Sequence, residues 1–331
     1  MTIDCAHEVM SRLSRSTRPM MRIGLVSALS LMVATARAAG PTDPAPPPVI
    51  VVESPPPPQV LEWKPEWSRA SAVDYVISAL GLATTLTFAI LPPQPAHFTA
   101  SNPFDTAVRN TLRLASYDDR HAAADTSDVL LSLVVTYPVL FDSFALGYGY
   151  WRSADVAYQM TVINAEAFAV SSSIYGVTNY AVSRERPYGQ DCNGPPGPPS
   201  SAPPGNQIPG GLTECTGPTR YRSFFSGHAM GSFTAAGLTC SHHLHLHLFG
   251  NGGDVAACVV ALVLASSIAV LRVMADDHYA TDVLTGAAVG SAAGFIVPAI
   301  HYAKHKRSTR PSSFEWHVAP SIGGLGIAGT W

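Results

Sequence analysis

Six apolar segments of helical length, at about 70 to 91, 127 to 150, 155 to 182, 228 to 247, 254 to 274 and 279 to 303, occupy most of the chain beyond residue 69. Segments so long and so apolar must bury themselves against one another or against lipid, which leaves few folds open. The pattern predicts an all-α protein, a six-helix bundle embedded in a membrane. Of the 331 residues, 47% are hydrophobic and only 13% charged, too few charges for an ordinary soluble surface. Ser71 to Leu91 carries Asp74 as its only charge and, at ~1.5 Å per residue, is long enough to cross a bilayer's hydrocarbon. Val255 to Val270 carries no charge. Asp142 and Glu166 fall mid-segment, so if those segments span, both carboxylates must face the bundle interior. A net charge of -3 with no long basic run argues against nucleic acid as a partner.

Upstream, Arg12, Arg15, Arg18 and Arg22 precede the apolar stretch Ile23 to Ala36, and Ala36-Arg37-Ala38 offers small residues for a signal peptidase. Residues 1–38 are therefore expected to be a signal peptide. Residues 39–68, with Pro46-Pro47-Pro48 and Pro55-Pro56-Pro57-Pro58, read as an extended Pro-rich tether. The helical domain is expected over 69–307 and a short C-terminal β-hairpin over 308–331, turning at Gly323-Gly324. The cluster Lys304, Lys306, Arg307 and Arg310 predicts that the sixth segment ends in the cytoplasm. Six spans would then start there too, at odds with a cleaved signal. Either the signal is retained, or one segment does not span, or the bundle is exported and soluble. In each version the loop bearing Cys192 and Cys215 lies outside the cytoplasm. These two cysteines bracket the Pro- and Gly-rich loop Asn193 to Glu214, which a disulfide would tie at its base. Cys240 and Cys258 sit in apolar segments and are expected to be inert buried thiols.

Three clusters carry the chemistry. In Asn179-Tyr180-Ala181-Val182-Ser183-Arg184-Glu185-Arg186-Pro187, Pro187 should end the third long helix and leave Arg186 at its mouth. In Phe225-Ser226-Gly227-His228, Ser226 is a good N-cap, and the free N–H groups behind it form an anion site. In the array Arg272-x5-His278-x3-Asp282, four residues separate His278 from Asp282, so on a helix the carboxylate can bond one ring nitrogen and leave the other free as a nucleophile. Asp276 and Asp277 beside it could raise the imidazole's pKa or repel a second phosphate. The run His242-His243-Leu244-His245-Leu246-His247 has no Cys, Asp or Glu to complete a metal shell and is expected to be a polar helix end or loop.

These clusters resemble the signature of the type 2 phosphatidic acid phosphatase and vanadium haloperoxidase superfamily, written Lys-x6-Arg-Pro, Pro-Ser-Gly-His and Ser-Arg-x5-His-x3-Asp, over roughly residues 70 to 305. The resemblance implies a helical bundle with its site at one end, no metal and no cofactor. It also implies a phosphatase acting on phosphomonoesters through a phosphohistidine, with His278 as nucleophile, Asp282 orienting it and His228 protonating the leaving oxygen. Arg186, Arg272, Ser226 and the Gly227 amide would hold the phosphoryl group. Asn179 stands at the phosphate-binding position that the family fills with Lys, so one cation is missing, and Arg184 lies too far round the helix to replace it. Phe225 replaces Pro and Leu271 replaces Ser. The implied substrate is a lipid phosphate or diphosphate in a bacterial cell envelope, at an inner membrane with the site facing the periplasm. Three alternatives stay open: a soluble periplasmic acid phosphatase for small phosphomonoesters, a haloperoxidase that would need vanadate, and a catalytically weakened phosphate-binding envelope protein, which Asn179 suggests.

Overall fold

Two helices that run in the same direction and touch through glycine set the geometry of this protein. In the computed structural model, which describes residues 61–94, 98–99, 101–193, 208–209, 212–250, 252–304, 315–321 and 324–330, eight α-helices are found. They are α1 (Ala72–Ile90), α2 (Pro103–Leu112), α3 (Tyr117–Thr136), α4 (Ala154–Val182), α5 (Thr213–Thr216), α6 (Gly227–Leu246), α7 (Gly252–Met274) and α8 (Ala280–Tyr302). The expected signal peptide, most of the tether and the basic residues after Lys304 lie outside the described residues.

The glycine-lined pair is α6 and α8. A Cβ on Gly286, Gly290 or Gly294 would stand 2.4, 2.2 and 2.4 Å from the carbonyl oxygens of Ser226, Met230 and Thr234. Both series step by four residues in the same sense, so the helices are parallel and in register. Small residues at this spacing let two backbones approach closely. The consequence is functional, because Ser226-Gly227-His228 and the His278–Asp282 turn open these two helices and so emerge at one end of the bundle. The long helix α4, beside α1, delivers Ser183 to Arg186 to the same end, where Phe98 and Arg184 form a bridge. Gly290→Ala is expected to force α6 and α8 apart and destabilise the fold by about 1–3 kcal/mol. A chemical-denaturation midpoint unchanged from wild type would contradict this packing.

Several expectations are revised. The second segment begins at Tyr117 rather than 127, because Ser116 caps it by accepting from the Asp119 N–H at 3.0 Å. It continues as a π-helix over Tyr137–Tyr150. Pro138 lacks an N–H, and its carbonyl accepts from Ser143 Oγ and Asn164 Nδ2. The short α2 carries no apolar run and was not expected. The tether ends earlier than residue 68, since Trp63 and Trp67 are buried against Tyr302. Cys240 and Cys258 are bonded to each other rather than free thiols, because α6 and α7 form a helical hairpin that brings their Cα atoms to 4.3 Å. Asp142 and Glu166 do face inward. In the tail, Glu315–Ser321 pairs antiparallel with Gly324–Thr330.

Among the described residues, four helical stretches are long and apolar enough to cross a membrane: Ala72–Ile90, Tyr117–Tyr150, Gly252–Met274 and Ala280–Tyr302. They turn large apolar side chains outward, among them Val76, Leu80 and Leu86 on α1 and Val255, Val259 and Val263 on α7. Such contiguous apolar surface indicates membrane association. By contrast α4 and α6, which carry Glu166 and the histidine run, are not among the four.

Candidate active site

His278 sits in the turn between α7 and α8. The N–H groups of Asp277 and His278 both donate to the Arg272 carbonyl, at 3.1 and 3.3 Å, which folds the turn back over the end of α7. Asp276 occupies the left-handed region at φ 64° and is fully buried. Its carboxylate is gripped from α2 by Arg109, at 2.6 Å to each oxygen, and by Arg113 at 2.9 Å. Asp276 therefore pins the turn that presents the histidine.

The His278 ring is buried, and its Nδ1–H donates to the Ser223 carbonyl at 2.8 Å. The direct bond expected from Asp282 is absent, as its nearer oxygen stands 3.9 Å away. That carboxylate instead accepts from Ser223 Oγ at 2.6 Å and the Tyr279 N–H at 2.9 Å. Asp282 thus orients the imidazole through Ser223. Nδ1 is committed as a donor to Ser223 rather than to Asp282, and Nε2 is left with a lone pair. Burial, with Arg186, Arg272 and His228 nearby, pushes the His278 pKa well below the usual histidine range and keeps the ring neutral.

Behind Asp282 lies a second network. Arg184 donates to Asp282 at 2.5 Å, to Asp105 at 2.7 Å and to Thr281 Oγ1 at 2.9 Å. Asp105, from α2, also caps α8 by accepting from the Thr281 N–H at 2.9 Å. Arg184 therefore does not face phosphate but holds the carboxylate that positions the histidine.

His228, in the first turn of α6, bonds Asp128 through Nε2 at 2.6 Å. Burial and the Arg272 charge lower its pKa to about 4, against the opposing pull of Asp128. Ser226 caps α6 by accepting from the Ala229 N–H at 3.4 Å. Gly227 packs tightly under the Tyr175 ring, which a Cβ there would meet at 3.0 Å. Asn179 is buried, and its Nδ2 donates to the Phe224 carbonyl at 3.3 Å, propping the loop that leads into Ser226.

The two arginines converge on Asp277. Arg186 Nη1 reaches one of its oxygens and Arg272 Nη2 the other, each at 2.7 Å. Arg272 also donates to Ser127 Oγ at 3.1 Å and Asp128 at 3.2 Å. The Nε of each arginine is buried with no hydrogen-bond partner among the described residues, so both guanidiniums retain a donor for an incoming oxygen anion. Beside them is a cavity of about 270 Å³, lined in part by Arg120, Arg186, Tyr188 and Asp277. Cys192 and Cys215 are joined in a disulfide, and Cys215, Ile208 and Tyr188 pack together at the base of the intervening loop. The histidine run resolves into separate partnerships inside the bundle. His242 bonds Tyr302 and Asn164, His243 lies between Asp142 and Asp254, and His245 stacks on Tyr302. The run is the polar end of α6, as expected, with His242 and His243 buried and His245 and His247 exposed.

Residues 161–306 match the family model described as the PAP2 superfamily, a span running from α4 to the end of α8. Searches of curated proteins and of solved structures return no match.

Proposed function

From the match of residues 161–306 to the PAP2 superfamily, we propose that this protein is a membrane-associated phosphatase working through a phosphohistidine at His278. The observation that carries the reading is a buried, neutral imidazole whose Nδ1 proton is committed to Ser223, standing beside two guanidiniums with spare donors. A phosphate monoester held by Arg186, Arg272 and the N-terminal amides of α6 would present phosphorus to His278 Nε2. The nitrogen lone pair attacks, the bond from phosphorus to the ester oxygen breaks, and His228 delivers a proton to that oxygen. Water, deprotonated by His228, then attacks the phosphohistidine and releases phosphate. The arginines stabilise charge on the non-bridging oxygens in both steps. Asp277 occupies N–H groups that phosphate would use, so substrate entry requires it to shift.

Trapping tests this directly. Protein mixed with labelled aryl phosphate and quenched in alkaline denaturant should retain label that is base-stable and acid-labile, lost in His278→Ala. Turnover without such an intermediate would remove the covalent mechanism.

The apolar belt supports a lipid phosphate as substrate, reached at the membrane surface, and the Cys192–Cys215 disulfide supports an oxidising compartment on that side. The polar cavity wall around Arg120 and Tyr117 favours a small phosphomonoester as the second reading.

The pH profile has a definite sign. His228 must carry a proton to act as general acid, and its pKa is lowered to about 4. At pH 7 the protonated fraction is small and grows as pH falls, while His278 stays neutral because its pKa is also depressed. The logarithm of kcat/KM is therefore expected to rise by about one unit per pH unit on going down from pH 7 toward 5. A profile flat across that window would remove His228 from this role.

A further inference from the structure

We infer that the cavity beside the arginine pair contains a second anion subsite built on Arg120, so that the substrate carries another anionic group beyond the phosphoryl it loses. The inference rests on the phosphatase reading and sharpens it to substrates with two anionic groups. Among the described residues, Arg109 and Arg113 at the end of α2 and Arg120 on α3 share only two carboxylates, Asp191 and Asp276. One positive charge is left over, and the bonds assign it. Arg109 takes both oxygens of Asp276 and adds Gln190 at 3.0 Å. Arg113 pairs with Asp276 at 2.9 Å and with Asp191. Among the described residues, Arg120 makes a 3.4 Å bond to the Leu114 carbonyl and lies over the Tyr117 ring at 6.0 Å, its nearest carboxylate is Asp191 at 3.9 Å, and its Nη2 has no hydrogen-bond partner.

This guanidinium is 3% exposed. A buried cation without a close counter-ion is costly, unless a ligand supplies the missing charge. Arg120 lines the same cavity of about 270 Å³ as Arg186, the residue that would hold the transferred phosphoryl group. The other carboxylates on that wall are already engaged. Glu214 accepts from Tyr117 Oη at 3.0 Å and pairs with His121 at 2.9 Å, while Asp277 bridges Arg186 and Arg272. The vacant cation therefore faces a space that reaches Arg186 and Asp277. A phosphate or carboxylate a few bonds beyond the scissile oxygen would satisfy it through a forked contact.

Isothermal titration of the full-length detergent-solubilised protein with orthophosphate, pyrophosphate and phosphonoacetate tests the subsite without requiring turnover. One or both of the two-anion probes should bind at least about tenfold more tightly than orthophosphate, and which does so identifies the second group as phosphate or carboxylate. In Arg120→Gln that preference should vanish while orthophosphate affinity stays within about threefold of wild type. Equal affinities in the wild type, or equal losses for all three anions in Arg120→Gln, would overturn the proposal. If Arg120→Gln fails to fold, Arg120→Lys decides, because a point charge without the fork should keep only part of the preference, and full retention would count against the subsite. A preference without turnover of any phosphate ester would sink the phosphatase reading alone, and turnover without a preference would sink the subsite alone.

Discussion

Replacing His278 with Ala is expected to reduce kcat for any phosphate ester by about 10⁴-fold or more, with the fold and phosphate binding intact. The magnitude follows from what the ring supplies. Among the described residues it is the group that combines a free nitrogen lone pair, a fixed tautomer and proximity to both clamp arginines. Without it, water must attack phosphorus unaided, while Arg186, Arg272 and the α6 amides continue to stabilise the bound anion. Orthophosphate affinity should therefore change by no more than about threefold, within 1 kcal/mol. The ring's own contribution to folding is modest, since it forms one bond to a backbone carbonyl and is replaced by a smaller apolar group. Residual activity within about tenfold of wild type would show that another group attacks phosphorus. Loss of phosphate binding together with activity would show instead that the ring holds the loop at Ser223, and the kinetic effect would then say nothing about nucleophilicity.

What could be read in the sequence was what lies close along the chain. The array from Arg272 to Asp282 runs from the last turn of α7 through one turn to the start of α8, so its spacing keeps the histidine and carboxylate near each other. His278 precedes α8, however, and the bond expected from a shared helix face does not form. Ser226-Gly227-His228 was legible as a helix start because capping chemistry is local. The partners that finish the site were not legible, because they depend on which helices meet. Ser223 receives the His278 proton only because α6 and α8 lie parallel in register, a relation fixed by Gly286, Gly290 and Gly294 against Ser226, Met230 and Thr234. Asp128 meets His228 across 100 residues and Asp105 meets Arg184 across 79, distances over which sequence gives no pairing signal. The glycine spacing on α8 was the one available hint. Cys240 and Cys258 were misread for a related reason, since apolar surroundings suggest free thiols until the α6–α7 hairpin brings them together.

The second large effect is expected at Arg184, which touches no phosphate. Its guanidinium lies between Asp105 and Asp282 at 2.7 and 2.5 Å, and all three side chains are buried. One cation against two carboxylates is balanced in part by the N-terminus of α8, where the Thr281 N–H reaches Asp105 and the Tyr279 N–H reaches Asp282. Arg184→Met would leave both carboxylates facing an apolar side chain of similar length. Breaking a buried charge network from one side costs about 3–5 kcal/mol, whereas removing charge from both sides costs far less. Arg184→Met is accordingly expected to destabilise the fold by that amount, and Arg184→Met combined with Asp105→Asn should recover about half of it. Activity should not follow stability. Asp282 would still lose its strongest anchor in the double variant, so the Ser223 hydroxyl and the His278 ring it positions would be held less tightly, and kcat should stay depressed by about 10²-fold. Denaturation midpoints and kcat measured on wild type, Arg184→Met, Asp105→Asn and the double variant separate the two roles. Parallel recovery of stability and kcat would mean that Arg184 supports the fold alone. Recovery of stability without kcat would identify it as the positioning residue behind the nucleophile.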